Sequence, residues 1–341
     1  MRKSLLALLL VAVGGIAHAA VQLKDDHPEQ YTVVKGDTLW DISGRFLREP
    51  WKWPELWHAN PQIENPHLIY PGDNLSLVYI DGQPRLTLNR GTSRGTIKLS
   101  PTVRTTPMAE AIPTIPLEAI NSFLLSNRII DSAEQFEAAP YIVAGNAERV
   151  ISGSGDRIYG RGAFEDGMPV YGIFRQGKTY FDPETQEFLG INADDVGTAE
   201  ILDMEGDIAT MMLTRVTQEA RIGDRLFPSE ERAVNSTFMP SEPEDEIKGV
   251  ILDVPRGVTQ IGQFDVVTLN KGARDGIKDG NVLAVYKTGE TVRDRVTGEN
   301  VKIPDERAGL LMVFRTYEKL SYGLVLQATR SLAVQDKVRN P

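Results

Sequence analysis

The stretch Tyr31-Thr32-Val33-Val34-Lys35-Gly36-Asp37-Thr38-Leu39-Trp40-Asp41-Ile42-Ser43 changes its periodicity partway along. Its β-branched start reads as a strand, whereas Leu39, Ile42 and Phe46 recur at helical spacing and predict a helix over about residues 38–46. Between them Gly36 suits a turn and Asp37 a helix N-cap. A second helix is expected from Pro54, a favoured first-turn residue; it carries Leu56 and Trp57 and ends before Asn60-Pro61. After the turn Tyr70-Pro71-Gly72-Asp73, Leu75-Ser76-Leu77-Val78-Tyr79 alternates as a second strand. The predicted order over residues 30–79 is strand, helix, helix, strand.

Three strings in this order, YTVVKGDTLWDIS, NPQI and LIYPGDNL, resemble the LysM module. Modules similar to this bind glycans containing N-acetylglucosamine, such as peptidoglycan, in a shallow groove between two loops. Transferred position by position, the resemblance implies a groove of Gly36, Asp37, Thr38 and Leu39 facing Asn60, Pro61, Gln62, Ile63, Tyr70 and Pro71. The residue types suit the ligand: an acetamido group offers one carbonyl, one N–H and one methyl, which loop amides, loop carbonyls and a small apolar floor recognise. Glycine lets the backbone approach. The competing reading makes Gly36, Pro71 and Gly72 turn residues and Leu39 and Ile63 core. Trp51, Trp53 and Trp57 lengthen the link between the helices; they could stack on sugar, but a module this small needs them as core. His58 and His67 read as surface or capping residues rather than metal ligands, and no cofactor is expected.

Upstream, Arg2 and Lys3 precede an apolar run over residues 5–16, and Ala17-His18-Ala19 forms a small-x-small site. Residues 1–19 therefore read as a secretory signal peptide, and an exported chain without cysteine is expected in a bacterial periplasm. No later run reaches the 18 or so apolar residues of a membrane-spanning helix. The chain has 341 residues, enough for two or three domains, and a net charge of −10, which argues against nucleic acid as a partner. It has no cysteine, and its histidines are His18, His27, His58 and His67. Disulfides, thiolate metal sites and cysteine nucleophiles are excluded, and everything beyond residue 67 lacks the commonest general base.

Residues 80–140 are rich in Gly, Pro, Ser and Thr at first and read as a linker with short helices. An edge strand is possible at residues 96–99. Leu117, Ile120, Phe123 and Leu124 suggest one helix, and Ser132 with Gln135 suggests the capping box of another, stopped by Pro140. Beyond this the chain matches itself at a shift of 112 residues. Val170, Gly177, Thr179, Asp182, Thr185, Glu187, Gly197, Thr217 and Asp224 align with Val282, Gly289, Thr291, Asp294, Thr297, Glu299, Gly309, Thr329 and Asp336. Arg175 aligns with Lys287 and Leu213 with Val325. Each copy reads as short strands separated by turns, hence two tandem small all-β repeats, barrel or sandwich, at 141–228 and 247–339. An acidic linker, 229–246, separates them. The fold class is α+β. Carboxylate pairs such as Asp194-Asp195 and Glu244-Asp245 fall in loops or charge runs, and Gly153 to Gly162 lacks the Gly-Lys-Ser/Thr of a phosphate loop. The expected protein is not an enzyme.

The whole-chain pattern, signal peptide, one LysM module, helical segment and two β repeats, resembles the family of LysM-containing proteins associated with the type IV pilus secretin. That resemblance implies a peptidoglycan-binding protein that anchors or aligns the outer-membrane secretin ring relative to the wall. The string VVTLNKGARDGIKDGNVLAVY also resembles the C-terminal barrel of a flagellar protein. The alternatives are accordingly an accessory of a flagellar or other envelope ring, or an activator of a wall hydrolase.

Overall fold

The computed structural model describes residues 21–57, 69–89, 112–116, 120, 123, 127–145, 151–165, 167–229, 238–255 and 260–341. Two compact units divide the chain, one of residues up to Lys35 with Trp40–Glu110, the other of Gly36–Leu39 with Ala111–Pro341.

The first unit is built from β1 (Gln30–Thr32), α1 (Leu39–Phe46), a 3-10 turn (Pro50–Lys52), α2 (Trp53–Trp57), β2 (Asn74–Ile80) and β3 (Gln83–Asn89). The expected strand, helix, helix, strand order is present, with β2 at the centre of a three-stranded antiparallel sheet. Trp51, Trp53 and Trp57 are buried beside Ile42, Phe46, Leu56, Ile69, Leu75 and Leu86, so the tryptophans form core. The third strand corrects the reading of residues 80–140 as linker from their first residue. Asp81 and Gly82 both have positive φ, at 53° and 77°, the geometry of a two-residue hairpin turn whose Asp-Gly signature closes β2 onto β3. The proposed strand at residues 96–99 lies outside the described residues.

The second unit continues with β4 (Asn127–Ile130), α3 (Ala133–Ala138) and β5 (Tyr141–Gly145). Ile120 and Phe123 are helical, as their spacing predicts, and Ser132 caps α3 by accepting from Gln135 N at 3.0 Å. β4 is a second correction to the helical linker: Ile129 and Ile130 are β-branched and pair with a later strand instead. Next come β6 (Ile151–Ser152), β7 (Arg157–Arg161), β8 (Val170–Phe181), β9 (Phe188–Glu205), β10 (Ile208–Val216), β11 (Ala220–Arg221) and β12 (Arg225–Pro228). Then follow β13 (Lys248–Asp253), β14 (Val266–Leu269), β15 (Val282–Lys287), β16 (Thr291–Arg293), β17 (Asn300–Lys302), β18 (Glu306–Thr316), β19 (Ser321–Ala328) and β20 (Lys337–Arg339).

Strands β13-β14-β19-β18-β15-β20 close a six-stranded barrel. The preceding sheet runs β10-β7-β5-β12-β8-β9-β4, and β10 also pairs with β9, so six of its strands close in the same cyclic order. The interiors correspond at the 112-residue shift: Ile173 with Val285, Val196 with Ala308, Leu213 with Val325, Ala220 with Leu332 and Leu226 with Val338 are all buried core. Tyr171 opposite Ala199 in the first barrel becomes Leu283 opposite Leu311 in the second.

The aligned polar residues repeat their contacts too. Arg175 grips Asp224 at 2.8 and 2.7 Å, and Lys287 meets Asp336 at 3.1 Å. Asp224 accepts from Arg221 N and Asp336 from Ala333 N, each at 2.8 Å. Gly197 and Gly309 sit at strand crossings; a Cβ on Gly309 would stand 2.5 Å from Gln327 O, and one on Gly197 would strike Arg215 O.

The two barrels also grip each other within this unit. The long β8–β9 hairpin of the first lies against the second: Tyr180 Oη donates to Asp253 at 3.0 Å, Asn270 donates to Asp182 at 2.8 Å, and Tyr322 Oη donates to Asn192 at 3.2 Å. Glu187 takes both Arg274 nitrogens at 2.7 and 2.9 Å and Lys319 at 2.8 Å. Phe123 packs edge-on against Tyr322, with ring centroids 4.6 Å apart. The latter half of the segment read as an acidic linker is held by the second barrel, through a Ser241–Asn281 bridge and a 2.7 Å Lys278–Glu244 pair.

Gly309→Ala should destabilise the second barrel by about 1–3 kcal/mol through forced overpacking, read as a lowered thermal midpoint. Arg274 and Lys319 hold the Glu187 carboxyl down at about 2 from an ordinary 4.5. Because the folded value is the lower one, the stabilisation is complete above the unfolded value and is lost as pH falls from about 4.5 through 2. The gap in melting temperature between wild type and Glu187→Gln should therefore be widest near neutrality and close toward pH 2; a gap independent of pH would refute the pairing.

Candidate functional site

The loop after β1 begins at Gly36, whose φ of +100° is open to glycine and strained for other residues. A Cβ there would meet no neighbouring atom, so the constraint is conformational and the backbone on that side stays approachable. Asp37 and Thr38 follow, both buried and both engaged in polar contacts, and Leu39 is fully buried. Leu39 accordingly behaves as core, the second of the two readings of its sequence.

The opposite turn is built from Tyr70-Pro71-Gly72-Asp73. Asp73 N donates to Tyr70 O at 3.0 Å, and Asp73 returns a carboxylate oxygen to Tyr70 N at 3.0 Å. Gly72 takes the turn's left-handed position, φ +96°. This closed turn is clasped to the end of β1 from both sides: Gly72 N donates to Val33 O at 2.7 Å and Val33 N donates to Asp73 O at 2.9 Å. Val33 lies three residues before Gly36, so the clasp fixes where the first loop departs. Tyr70 is half-buried and Pro71 exposed. Asn60, Pro61, Gln62 and Ile63, with His58 and His67, lie outside the described residues.

One contact had no sequence signal. Leu39 N donates to Pro113 O at 3.0 Å, and residues 36–39 group with the downstream chain rather than with the rest of their module. Ile112, Thr114 and Ile115 are buried as well. An acetamido carbonyl seeking the Leu39 amide would have to displace Pro113.

Elsewhere the neighbouring carboxylates Asp194 and Asp195 both have structural partners. Asp195 accepts both Arg215 terminal nitrogens, at 2.8 and 2.7 Å, and the Thr217 hydroxyl at 3.0 Å. Its neighbour Asp194 accepts from Asn192 at 2.6 Å, and burial pushes its pKa above the usual carboxylate value. Adjacent residues on a strand point to opposite faces, so the two cannot act as a catalytic pair on one ligand. Among the described residues, no cluster of His, Asp and Glu is placed to hold a metal ion, and no helix is long and apolar enough to cross a membrane.

Comparison with known proteins agrees with the module. Residues 31–77 match the LysM domain family. A segment of 60 residues is 40% identical to the uncharacterized protein YqbP of Bacillus subtilis (strain 168), covering 15% of this chain and 27% of that protein. The chain thus spans about a quarter of that relative's length, and the likeness is that of a shared module; residues 31–77 form a LysM domain, a peptidoglycan- and carbohydrate-binding module rather than a catalytic one.

Proposed function

We propose that this is an exported, non-enzymatic wall anchor: its LysM domain holds N-acetylglucosamine-containing peptidoglycan, and its β barrels hold the outer-membrane secretin ring of a type IV pilus. The observation that carries the first half is the LysM match over residues 31–77; beside it, the Val33 clasp ties the Tyr70–Asp73 turn to the strand end from which the Gly36 loop departs. Gly36, Asp37, Thr38, Tyr70 and Pro71 supply the described part of that groove, and Asn60, Pro61, Gln62 and Ile63 complete it. The apparent signal peptide over residues 1–19 delivers the chain to the periplasm, where both partners are.

The second half is supported by the character of the barrels. Their aligned charged residues, Arg175 with Asp224 and Lys287 with Asp336, are spent on internal ion pairs, which suits scaffolds presenting surface rather than reacting groups. A single shallow groove binds weakly, and a symmetrical ring carrying many copies would multiply that affinity by avidity.

Purified protein should sediment with insoluble peptidoglycan, and soluble N-acetylglucosamine oligomers should release it. Deleting residues 30–89 should abolish retention; retention equal to wild type would overturn the glycan assignment. Gly36→Val, which forces a β-branched residue to positive φ, should weaken retention severalfold without unfolding the barrels. In cells, cross-linking should recover the secretin, and recovery of a flagellar ring instead would reassign the partner.

A further inference from the structure

The first barrel is an internal control for the second, and three adjoining features of the second differ from it. One is the hairpin. In the β8–β9 hairpin Tyr180 and Leu189 are buried, Lys178 meets Asp253 at 2.6 Å, and Glu187 holds Arg274 and Lys319. At the 112-residue shift these residues become Val292, Val301, Glu290 and Glu299 of the β16–β17 hairpin. Val292 stands opposite Val301, and Ile303 N donates to Glu290 O, so one face carries an apolar strip of Val292, Val301 and Ile303 with a carboxylate at each end. The three are 39%, 46% and 41% exposed, and neither glutamate makes a side-chain ion pair among the described residues.

The second feature is a hollow at the root of that hairpin. In the first barrel Arg175 reaches past Asp224 to Gln218 Oε1 at 3.2 Å and Glu219 O at 2.9 Å. Lys287, in its place, has a single nitrogen and meets Asp336 at 3.1 Å. Arg330 and Ser331, the counterparts of Gln218 and Glu219, instead line a hollow of about 420 Å³ together with Ile303 and Pro304. The same two residues line a second hollow of about 570 Å³, which Gln263 and Asp265 border from the far side.

The turn that carries Gln263 and Asp265 is the third feature. Gly155 N donates to Leu213 O and Leu213 N to Asp156 O; Phe264 N donates to Val325 O and Val325 N to Asp265 O, so Phe264 holds the place of Gly155. Both backbones are left-handed, with φ of +86° and +68°. A bulky residue is strained there and glycine is not. The Phe264 ring is nonetheless 39% exposed and stands outside the core cluster of its barrel, so packing does not account for it. Strain of this kind marks side chains that bind.

We propose that this continuous surface, from the β16–β17 strip across Arg330 to Phe264, is where the second barrel holds the ring subunit, with Phe264 as its aromatic anchor. This rests on the wall-anchor function proposed for the chain. The two glutamates require a partner whose apolar patch is flanked by lysine or arginine, as Arg274 and Lys319 flank the seat of Glu187. Another copy of this chain does not meet that requirement. Its second barrel already seats its own β8–β9 hairpin, and in its first barrel Glu165 and Asp207 stand in the places of Arg274 and Lys319.

A photoreactive phenylalanine analogue placed in cells at Phe264, or at Val296 on the hairpin tip, should cross-link the secretin, and one at Leu202, exposed on the first barrel, should not. Phe264→Gly should melt at or above wild type while the secretin captured falls about tenfold or more, and Val301→Asp should lose capture at an unchanged midpoint. Full capture by both variants, a lowered midpoint for Phe264→Gly, or cross-links from Phe264 and Val296 to a second copy of this chain would each overturn the assignment and leave the ring function standing. A wild type from which general cross-linking recovers no secretin would overturn the ring function, and this surface with it.

Discussion

Closing a small barrel brings two strands nearer than side chains allow, and both barrels solve this the same way. At Gly197 and Gly309 a bare Cα faces the carbonyl of the strand across, Arg215 O in one barrel and Gln327 O in the other. The register slips beside both crossings, between Leu213 and Arg215 and between Leu310 and Leu311, which turns the strands and sharpens their twist. That turn lets β10 close on β9, and without it the first barrel would be an open sheet with bare edges. The interior positions, the paired ion contacts and the long hairpin all take their places from this closure.

Much of this was legible in the sequence. A gapless self-match at 112 residues marks the aligned glycines, Thr217 with Thr329, and Asp224 with Asp336, because these residues answer backbone requirements that side-chain drift cannot relax. Thr217 N and Thr329 N donate to equivalent carbonyls, Val196 O at 2.9 Å and Ala308 O at 2.8 Å. The LysM domain was legible for a related reason: its turn glycines and apolar spacing are local, and they fix strand and helix within a few residues.

What was not legible is long-range. Strand β3 carries a proper Asp-Gly turn and a buried Leu86, but its surroundings have the composition of a linker, and composition dominated the reading. The Leu39–Pro113 hydrogen bond joins backbone groups, which no side-chain pattern encodes. Four of the ten expected groove residues, 60–63, fall outside the described chain, and of the other six Asp37, Thr38 and Leu39 are buried although their sequence reads as a loop. The docking of one barrel on the other was equally hidden, since Tyr180, Glu187 and Asn192 look like ordinary strand residues until the opposing surface is known.

The two copies have also diverged in step. Opposite each other across β8 and β9 stand a tyrosine and an alanine, Tyr171 and Ala199; across β15 and β18 the same places hold two leucines, Leu283 and Leu311. A large residue beside a small one and two of middle size fill comparable space, and close-packed interiors tolerate volume-conserving change best. A change of size at one of these positions is therefore best tolerated together with the opposite change across the pair. A chimaera that swaps matching segments between the halves should accordingly be most stable when both members of such a pair cross together.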